Sequence, residues 1–463
     1  LHAQYRIHVF QGIEASGLAT SNGYWRAEAS GLLRDFAIAG LSPDAVLSSS
    51  LFHKDFDDIS ALGQLVLSDT PNLALHHDLV PTETGPAEIS KSRSDDDKQP
   101  FDAVIAVSET TRQNAMDAFN CTRAHTQTIP GDAGAEFAPP DSMSLMDMEH
   151  LRARYSLMRP YLLAVGSKNC PSALKDIFSA YNALPRGMID SHDLVIAGDF
   201  SGNEISCILE YVKALSLDPG HIRILDHISD DDLPGIFGLA ELFVMPAVRH
   251  GFGLPALQAI RSETLTLVAN VASLSDVVGT PETLFEPGDI RVLTSLILRG
   301  LTDTEFRAKT KDKQIRHAMQ FSWETSARKA LSVLVDYGRM TSPEREWSHV
   351  QNRLDKLEDR AIEALKNLPK PDGGLSDQDR NDLARALLKT RLATENAWRP
   401  RSVPQTGLTW RLEGPFDSHY SLASVNRETA RALDKQDVNV ALVSAEGDGP
   451  FDPDPDFLTA HPD

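Results

Sequence analysis

The chain has 463 residues, 41% of them hydrophobic and 24% charged, with a formal net charge of −21 from 45 Lys and Arg against 66 Asp and Glu. At roughly 100–200 residues per domain there is room for about three domains, each able to bury a core. The acidic balance excludes a protein that coats nucleic-acid phosphates, though not a small basic pocket for a diphosphate. Three cysteines, Cys121, Cys170 and Cys207, are odd in number and widely spaced. That excludes a disulfide framework or a Cys-rich zinc site and fits a reducing cytoplasm. No apolar run approaches the roughly 20 residues of a membrane span. The chain starts at Leu1 without a signal-peptide pattern and ends on Ala460-His-Pro-Asp463 with no helix stop. It therefore reads as a piece of a longer protein.

In chain order, Ala45-Val-Leu47, Leu73-Ala-Leu75 and Ala103-Val-Ile-Ala-Val107 are short apolar runs and predict buried strands. Ser108 is a suitable N-cap for a helix over 109–119. The polar stretch Gly85–Pro100, with Asp95-Asp-Asp97, predicts a solvated loop. From Tyr161-Leu-Leu-Ala-Val165 the pattern sharpens. Strands are expected at 161–165, 194–197, 222–225, 241–245 and 264–269. Between them, sets such as Ala173, Leu174, Ile177, Phe178 and Tyr181 recur at helical spacing. Strands alternating with helices make a parallel sheet covered on both faces, so residues 158–338 predict a doubly wound α/β domain with its ligand beyond the carboxyl ends of the strands.

After about residue 340 the character changes. Trp347, Val350, Leu354, Leu357, Ala361, Ala364 and Leu368 repeat at steps of three and four, enough for a helical hairpin or a short helical dimer. Pro369-Lys-Pro-Asp-Gly-Gly374 ends that helix, and another is expected over 377–394. Arg399-Pro-Arg-Ser-Val-Pro404 reads as a linker. Strand, loop, helix and strand then follow at 408–412, 422–433 and 438–443, as at the opening of a further α/β domain.

The stretch with most chemistry is Ala247-Val-Arg-His-Gly-Phe-Gly-Leu-Pro-Ala-Leu-Gln258, directly after the fourth strand of the 158–338 domain. Gly251 and Gly253 flank Phe252, and Pro255 suits the start of a helix. A glycine turn that opens a helix presents free backbone N–H groups and the positive end of the helix dipole to an anion. On spacing alone, a purely structural turn explains these residues equally well.

The wider string resembles the family 4 retaining glycosyltransferases of the GT-B fold. The residues that carry the resemblance are Asp226-His-Ile-Ser-Asp-Asp-Asp-Leu-Pro234, Ala240-Glu-Leu-Phe-Val-Met-Pro246, Gly251-Phe-Gly-Leu-Pro255, Ala272-Ser-Leu-Ser-Asp-Val-Val-Gly279 and Leu284-Phe-Glu-Pro-Gly288. Phe321-Ser-Trp-Glu324 looks like that family's final motif before the helix that crosses back to the first domain. His76-His-Asp-Leu-Val-Pro81, Val107-Ser-Glu-Thr-Thr-Arg112 and Ile129-Pro-Gly131 match in order in the first domain. The resemblance spans about residues 40–338. It implies an α/β, GT-B architecture of two Rossmann-like domains facing a cleft. The nucleotide-sugar donor would be held mainly by the second domain and a glycan or lipid-linked glycan acceptor by the first, with no metal and no cofactor.

On this reading residues 1–147 form the acceptor-side domain, its front truncated, and 148–340 the donor-side domain. Residues 341–404 form a helical linker. Residues 405–463 begin a second glycosyltransferase unit, because Trp410-Arg-Leu-Glu-Gly-Pro-Phe416 looks like another first strand and glycine loop. Gly251, Phe252, Gly253 and Leu254 are expected at the diphosphate or donor sugar. The family carries two glutamates around this turn and a basic pair after the first strand of the second domain. Here His250 and Gln258 take the glutamate places and Ser172 the lysine place, with Lys168 nearby. His77 is expected beside the transferred sugar, and with His250 it forms the catalytic set that the resemblance implies. The expected function is retaining sugar transfer from a nucleotide-sugar to a growing polysaccharide or O-antigen-type glycan. The setting is the cytoplasm, at or near the inner face of the inner membrane, without nucleic acid. The rival expectation is a catalytically degenerate scaffold supporting the second unit.

Overall fold

The structure, a computed structural model, describes residues 6–7, 21–41, 43, 45–48, 70–76, 101–119, 121–139, 143–166, 171–198, 200–226, 228–246, 251–337, 347–371, 374–398, 409–413 and 439–443. The chain begins with β1 (Arg6–Ile7), α1 (Ser21–Gly40), β2 (Val46–Ser48), β3 (Asn72–His76), β4 (Ala103–Ala106), α2 (Glu109–Phe119) and β5 (Thr126–Thr128). It continues through α3 (Leu145–Arg154), β6 (Tyr161–Val165), α4 (Pro171–Asn182), α5 (Arg186–Ser191), β7 (Asp193–Gly198), α6 (Gly202–Ala214), β8 (Ile222–Asp226), α7 (Leu233–Gly238) and β9 (Leu242–Met245). Then come α8 (Leu254–Arg261), β10 (Leu265–Ala269), α9 (Ala272–Val278), β11 (Leu284–Phe285), α10 (Ile290–Thr302) and α11 (Thr304–Ala318). The last elements are α12 (Trp323–Tyr337), α13 (Trp347–Asn367), α14 (Asp377–Trp398), β12 (Thr409–Glu413) and β13 (Asn439–Val443). Two units divide these elements. Unit 1 holds Leu1–Val107, Thr111–Ile129 and Trp323–Asp463, and unit 2 holds Ser108–Thr110 and Pro130–Ser322.

Unit 2 is a six-stranded parallel sheet in the order β11-β10-β9-β6-β7-β8. Its strands are buried on both faces, and the two-residue period of a strand sorts their side chains into two cores. Leu162, Ala164, Leu194, Ile196, Leu242, Val244, Leu265 and Leu267 pack on one side with Ile177, Phe178 and Tyr181 of α4 and Leu293 and Ile297 of α10. Tyr161, Leu163, Val195, Ala197, Phe243, Met245 and Val268 pack on the other with Ile236 and Phe237 of α7, Leu257 and Ile260 of α8 and Leu274 of α9. Each large side chain so buried contributes about 1.5–3 kcal/mol of transfer free energy. A register slip of one residue would exchange the two cores. The expected strands agree with those found to within a residue or two at their ends.

Among the described residues, unit 1 is a seven-stranded parallel sheet in the order β1-β13-β12-β2-β3-β4-β5. The expectation of a separate α/β domain opening at residue 405 departs from this arrangement. β12 lies between β13 and β2, with Leu412 paired to Leu47 and Trp410 to Val440, and β13 pairs on to β1. The local pattern of the tail is the predicted one; the sheet that it joins is not. An apolar parallel strand needs a neighbour on each side and cover on both faces, and β2, with Val46 and Leu47 buried, finds that neighbour in β12.

Within residues 341–404, expected as a helical linker, the described residues form the two helices α13 and α14, which pack within unit 1. The helix α1 packs against α13 and α14: Trp25, Ala29 and Leu33 meet Leu365 and Ala386, and Phe36 meets Leu357 and Ala361. Arg26 reaches from α1 to Asp379 at 2.7 Å and Asp382 at 2.9 Å. Ser376 caps α14, accepting from the Asp379 N–H at 3.1 Å. The hydrogen bond from Ser376, joined by the Arg26 guanidinium, holds the Asp379 carboxyl below its ordinary range. The heptad face, expected in a helical hairpin or a short helical dimer, is covered within the chain, with Leu354, Leu357, Ala361 and Leu365 buried. The expected domain limits at 148 and 340 also shift. The chain enters unit 2 at Pro130, and α12 belongs to unit 1. Residues 85–100 and 422–433 lie outside the described residues.

Candidate anion and donor site

In unit 2 the first strand, β6, sits in the middle of the sheet. The chain proceeds from it to β7 and β8 on one side, then returns to β9 on the other and on to β10 and β11. The order therefore reverses between β6 and β9, which are direct neighbours with Ala164 opposite Val244. At such a switch point the loops leaving two adjacent strands diverge to opposite faces and open a crevice at their carboxyl ends, where ligands of open α/β sheets bind. The loop after β9 that lies here is the one carrying Gly251 and Gly253.

Gly253 is the N-cap of α8, in the left-handed region at φ 93° and ψ 38°. An added Cβ would also collide with Leu274 Cδ2, so both backbone angle and space favour glycine. The Gly253 carbonyl accepts from the N–H groups of Ala256 at 3.0 Å and Leu257 at 3.3 Å, which starts the helix. Among the described residues the N–H groups of Phe252, Gly253 and Leu254 have no acceptor. They form, with the dipole of α8 behind them, a set of donors suited to an anion. Pro255, the second residue of α8, has no N–H to leave unsatisfied. The helix is anchored by Ala256, Leu257, Ala259 and Ile260, all buried, so the donors stand on a rigid element.

The remaining expected residues fall into three groups. Gln258 stands one turn into α8 from Leu254, on the same face; it is half-buried, and its side chain takes no hydrogen bond from the described residues. The Phe252 ring packs edge-on against Phe321 at 5.6 Å, and its backbone N–H is the group that faces no described acceptor. Ser172 lies in the first turn of α4, which follows β6 at the same end of the sheet. Lys168, His250 and His77 lie outside the described residues. Lys175 is turned to the Tyr211 ring, 5.6 Å from its centre. His76 is buried, with Nε2 3.1 Å from Asn114 Oδ1, and Arg112 donates to Thr126 Oγ1 and the Arg123 carbonyl at 3.0 Å each. Both are structural.

Sequence reasoning missed what supports the loop. Ser108, grouped with unit 2, donates from Oγ to the Gly251 carbonyl at 2.9 Å. Three carboxylates near the carboxyl ends of the strands are occupied by the protein's own donors. Asp226 accepts from the Phe200 N–H at 3.0 Å, Asp176 from the Gly288 N–H at 2.9 Å, and Glu286 from Asn270 Nδ2 at 2.6 Å. Much of the negative charge at this end thus braces loops instead of facing a ligand. Asp276 on α9 sits above its ordinary value because burial disfavours its charge, an effect that His317 opposes and Glu109 adds to.

Residues 152–317 match the family described as Glycosyl transferases group 1. The chain is 26% identical over 378 residues to the serotype-specific mannosyltransferase WbdA of Escherichia coli, a match covering 78% of this chain and 45% of that protein. It is also 26% identical over 230 residues to the O-antigen chain mannosyltransferase B of Escherichia coli, covering 50% of this chain and 59% of the relative. The chain thus spans about half the length of the curated relatives it matches. Among solved structures it is similar to Anabaena Alr3699/HepE in complex with UDP and glucose, at a TM-score of 0.56 and 15% identity over 71% of this chain and 85% of that one. A glycosyltransferase from Rickettsia africae matches at a TM-score of 0.51 and 14% identity, over 66% of this chain and 81% of that one. The fold is that of the GT-B glycosyltransferases, and the chain carries a domain of the Glycosyl transferases group 1 family, homologous to the Escherichia coli O-antigen mannosyltransferases.

Proposed function

We propose that the chain is part of a retaining glycosyltransferase that moves a hexose, mannose by analogy with the relatives' names, from a nucleotide-diphosphate donor to a growing O-antigen-type glycan. The observation that carries this reading is the set of N–H groups at Phe252, Gly253 and Leu254, without an acceptor among the described residues and opening α8 at the β6–β9 switch point. Cleavage of the sugar–phosphate bond builds negative charge on the departing diphosphate. Donors fixed before the reaction stabilise that charge without reorganising. Gln258, one turn along the same face, would hydrogen-bond a hydroxyl of the sugar or ribose, without the charge assistance of a carboxylate.

In this proposal His250 and His77 keep the roles at the transferred sugar that the resemblance gives them, and Lys168 and Ser172, from the chain after β6, serve the diphosphate. Neither a metal nor a cofactor is part of the scheme. The acceptor, a glycan or lipid-linked glycan, meets unit 1. The reaction would take place in the cytoplasm, beside the membrane where such acceptors are anchored. Among the described residues no helix is long and apolar enough to cross a membrane.

One observation favours a second reading. Gln258 is neutral where the resemblance calls for a carboxylate, as in a scaffold unit that keeps the fold and has lost transfer. A thermal-shift panel of GDP-, UDP- and dTDP-sugars, followed by a transfer assay with the sugar that binds, separates the two. Binding with transfer supports the enzyme, binding or silence without transfer supports the scaffold, and silence across the panel removes the donor site.

A further inference from the structure

The chain passes between the units at three places: around Ser108–Thr110, at Ile129–Pro130 and at Ser322–Trp323. On the unit 2 side, each place is held by the one segment that carries the candidate donor site. The Ser108 hydroxyl donates to the Gly251 carbonyl at 2.9 Å. Asp132, two residues past the second passage, is gripped by Arg261 at the far end of α8. Arg261 Nη2 lies 3.0 Å from both carboxylate oxygens, and Nε 3.2 Å from one of them. The same Nη2 donates to the carbonyl of Phe321 at 2.9 Å, directly before the third passage. The ring of Phe321 receives the ring of Phe252 from the glycine loop. A short, buried helix with a ligand loop at one end and an arginine fork at the other thus touches the chain at Ser108, Asp132 and Phe321, beside each of these places.

We propose that residues 251–261 couple occupancy of the donor loop to the three interunit connections, with Phe252 and Arg261 as positioning residues and Ser108 as the third anchor. The proposal rests on the reading of residues 251–254 as an anion site. An anion drawn onto the N–H groups of Phe252–Leu254 orders the loop. The loop in turn fixes the Phe252 ring on Phe321, and the rigid α8 carries the constraint to Arg261 and Asp132. A guanidinium suits this task because its planar fork holds a carboxylate with two N–H groups and still has an N–H for a carbonyl; a lysine has three donors but no rigid fork to fix their directions. Coupling between two sites is typically worth roughly 5- to 150-fold in affinity.

Hydrogen exchange of the whole chain, read by mass spectrometry with and without saturating UDP or GDP, tests this. In the wild-type protein the nucleotide is expected to slow exchange at 251–258 and, with it, at 131–133 and 319–322. Phe252→Ala is expected to keep the first protection and lose the last, with Phe252→Tyr restoring it. Phe252→Leu replaces the alanine variant should that one fail to fold. Arg261→Met is expected to lose protection at both 131–133 and 319–322. Nucleotide protection confined to 251–258 in the wild type overturns the coupling and leaves the anion site standing. Unchanged remote protection in Phe252→Leu and Arg261→Met also overturns it. Absence of any nucleotide effect removes the anion site and the coupling together.

Discussion

Leu412 of β12 stands opposite Leu47 of β2 in a parallel ladder that also pairs Arg411 with Val46 and Glu413 with Ser48. The tail of the chain is therefore a central part of the first sheet, not an appendage. A proline at position 412 would remove a ladder donor from a strand flanked on both sides, where proline is not tolerated. Leu412→Pro is expected to strip amide-exchange protection from Val46–Ser48 while leaving Tyr161–Val165 protected. Protection at Val46–Ser48 equal to wild type would refute this placement of the tail.

The helical layer gives a second prediction. Phe36 is fully buried between α1 and α13 against Leu357 and Ala361. Phe36→Ala should cost about 3–5 kcal/mol in denaturant unfolding, the range for large aromatic truncations in a core. A loss below about 0.5 kcal/mol, the size typical of surface changes, would show that the heptad face is covered by something other than α1.

Gly253 gives a third. A Cβ there meets Leu274, and φ is +93°. Gly253→Ala should therefore destabilise by about 1–3 kcal/mol through backbone strain alone. Adding Leu274→Ala would relieve the collision but not the strain, so urea unfolding of the double variant should still show a strain cost relative to Leu274→Ala. A double variant as stable as Leu274→Ala would mean that the turn does not require glycine.

Unit 2 also contains a pH-dependent pair at the amino ends of its strands. His192 Nε2 lies 3.6 Å from Glu241 Oε2, and Arg307 Nη1 lies 3.2 Å from the same oxygen. The hydrogen bond to Glu241 raises His192 above its ordinary 6.5 despite burial, and the same bond lowers Glu241 below its ordinary 4.5. The raised histidine contributes stability that is complete below pH 6.5 and lost as pH rises through its folded value. The lowered glutamate contributes stability present above 4.5 and lost as pH falls through its folded value. The pair thus stabilises most between about pH 4.5 and 6.5. In His192→Asn, the decline of unfolding free energy above pH 6.5 should flatten; an unchanged slope would show that the pair is not linked to folding.

Much of this was legible in the sequence, for a physical reason. Strands such as Tyr161–Val165 and Leu242–Met245 are buried on both faces, so their apolar runs declare themselves without any tertiary knowledge. The turn at Gly251–Gly253 was equally visible, since a left-handed N-cap leaves few residues to choose from. Partners distant in sequence left no such mark. Nothing local in Thr409–Glu413 says that it pairs with Val46–Ser48, and the heptad of α13 specifies an apolar partner without naming α1. Arg261 and Asp132 belonged to no motif, and Ser108, expected as a cap for α2, was found donating to Gly251. Phe252 carried two meanings at once, an amide for a ligand and a ring for Phe321, and spacing revealed only the first.

The central claim is that the N–H groups of Phe252, Gly253 and Leu254 at the start of α8 receive the diphosphate of a nucleotide-sugar. The most direct measurement is the NMR response of the Phe252, Gly253 and Leu254 amides in selectively 15N-labelled chain as a nucleoside diphosphate is added. The account predicts saturable downfield shifts at these three amides, following one binding curve. Saturable binding that leaves all three unmoved would contradict it.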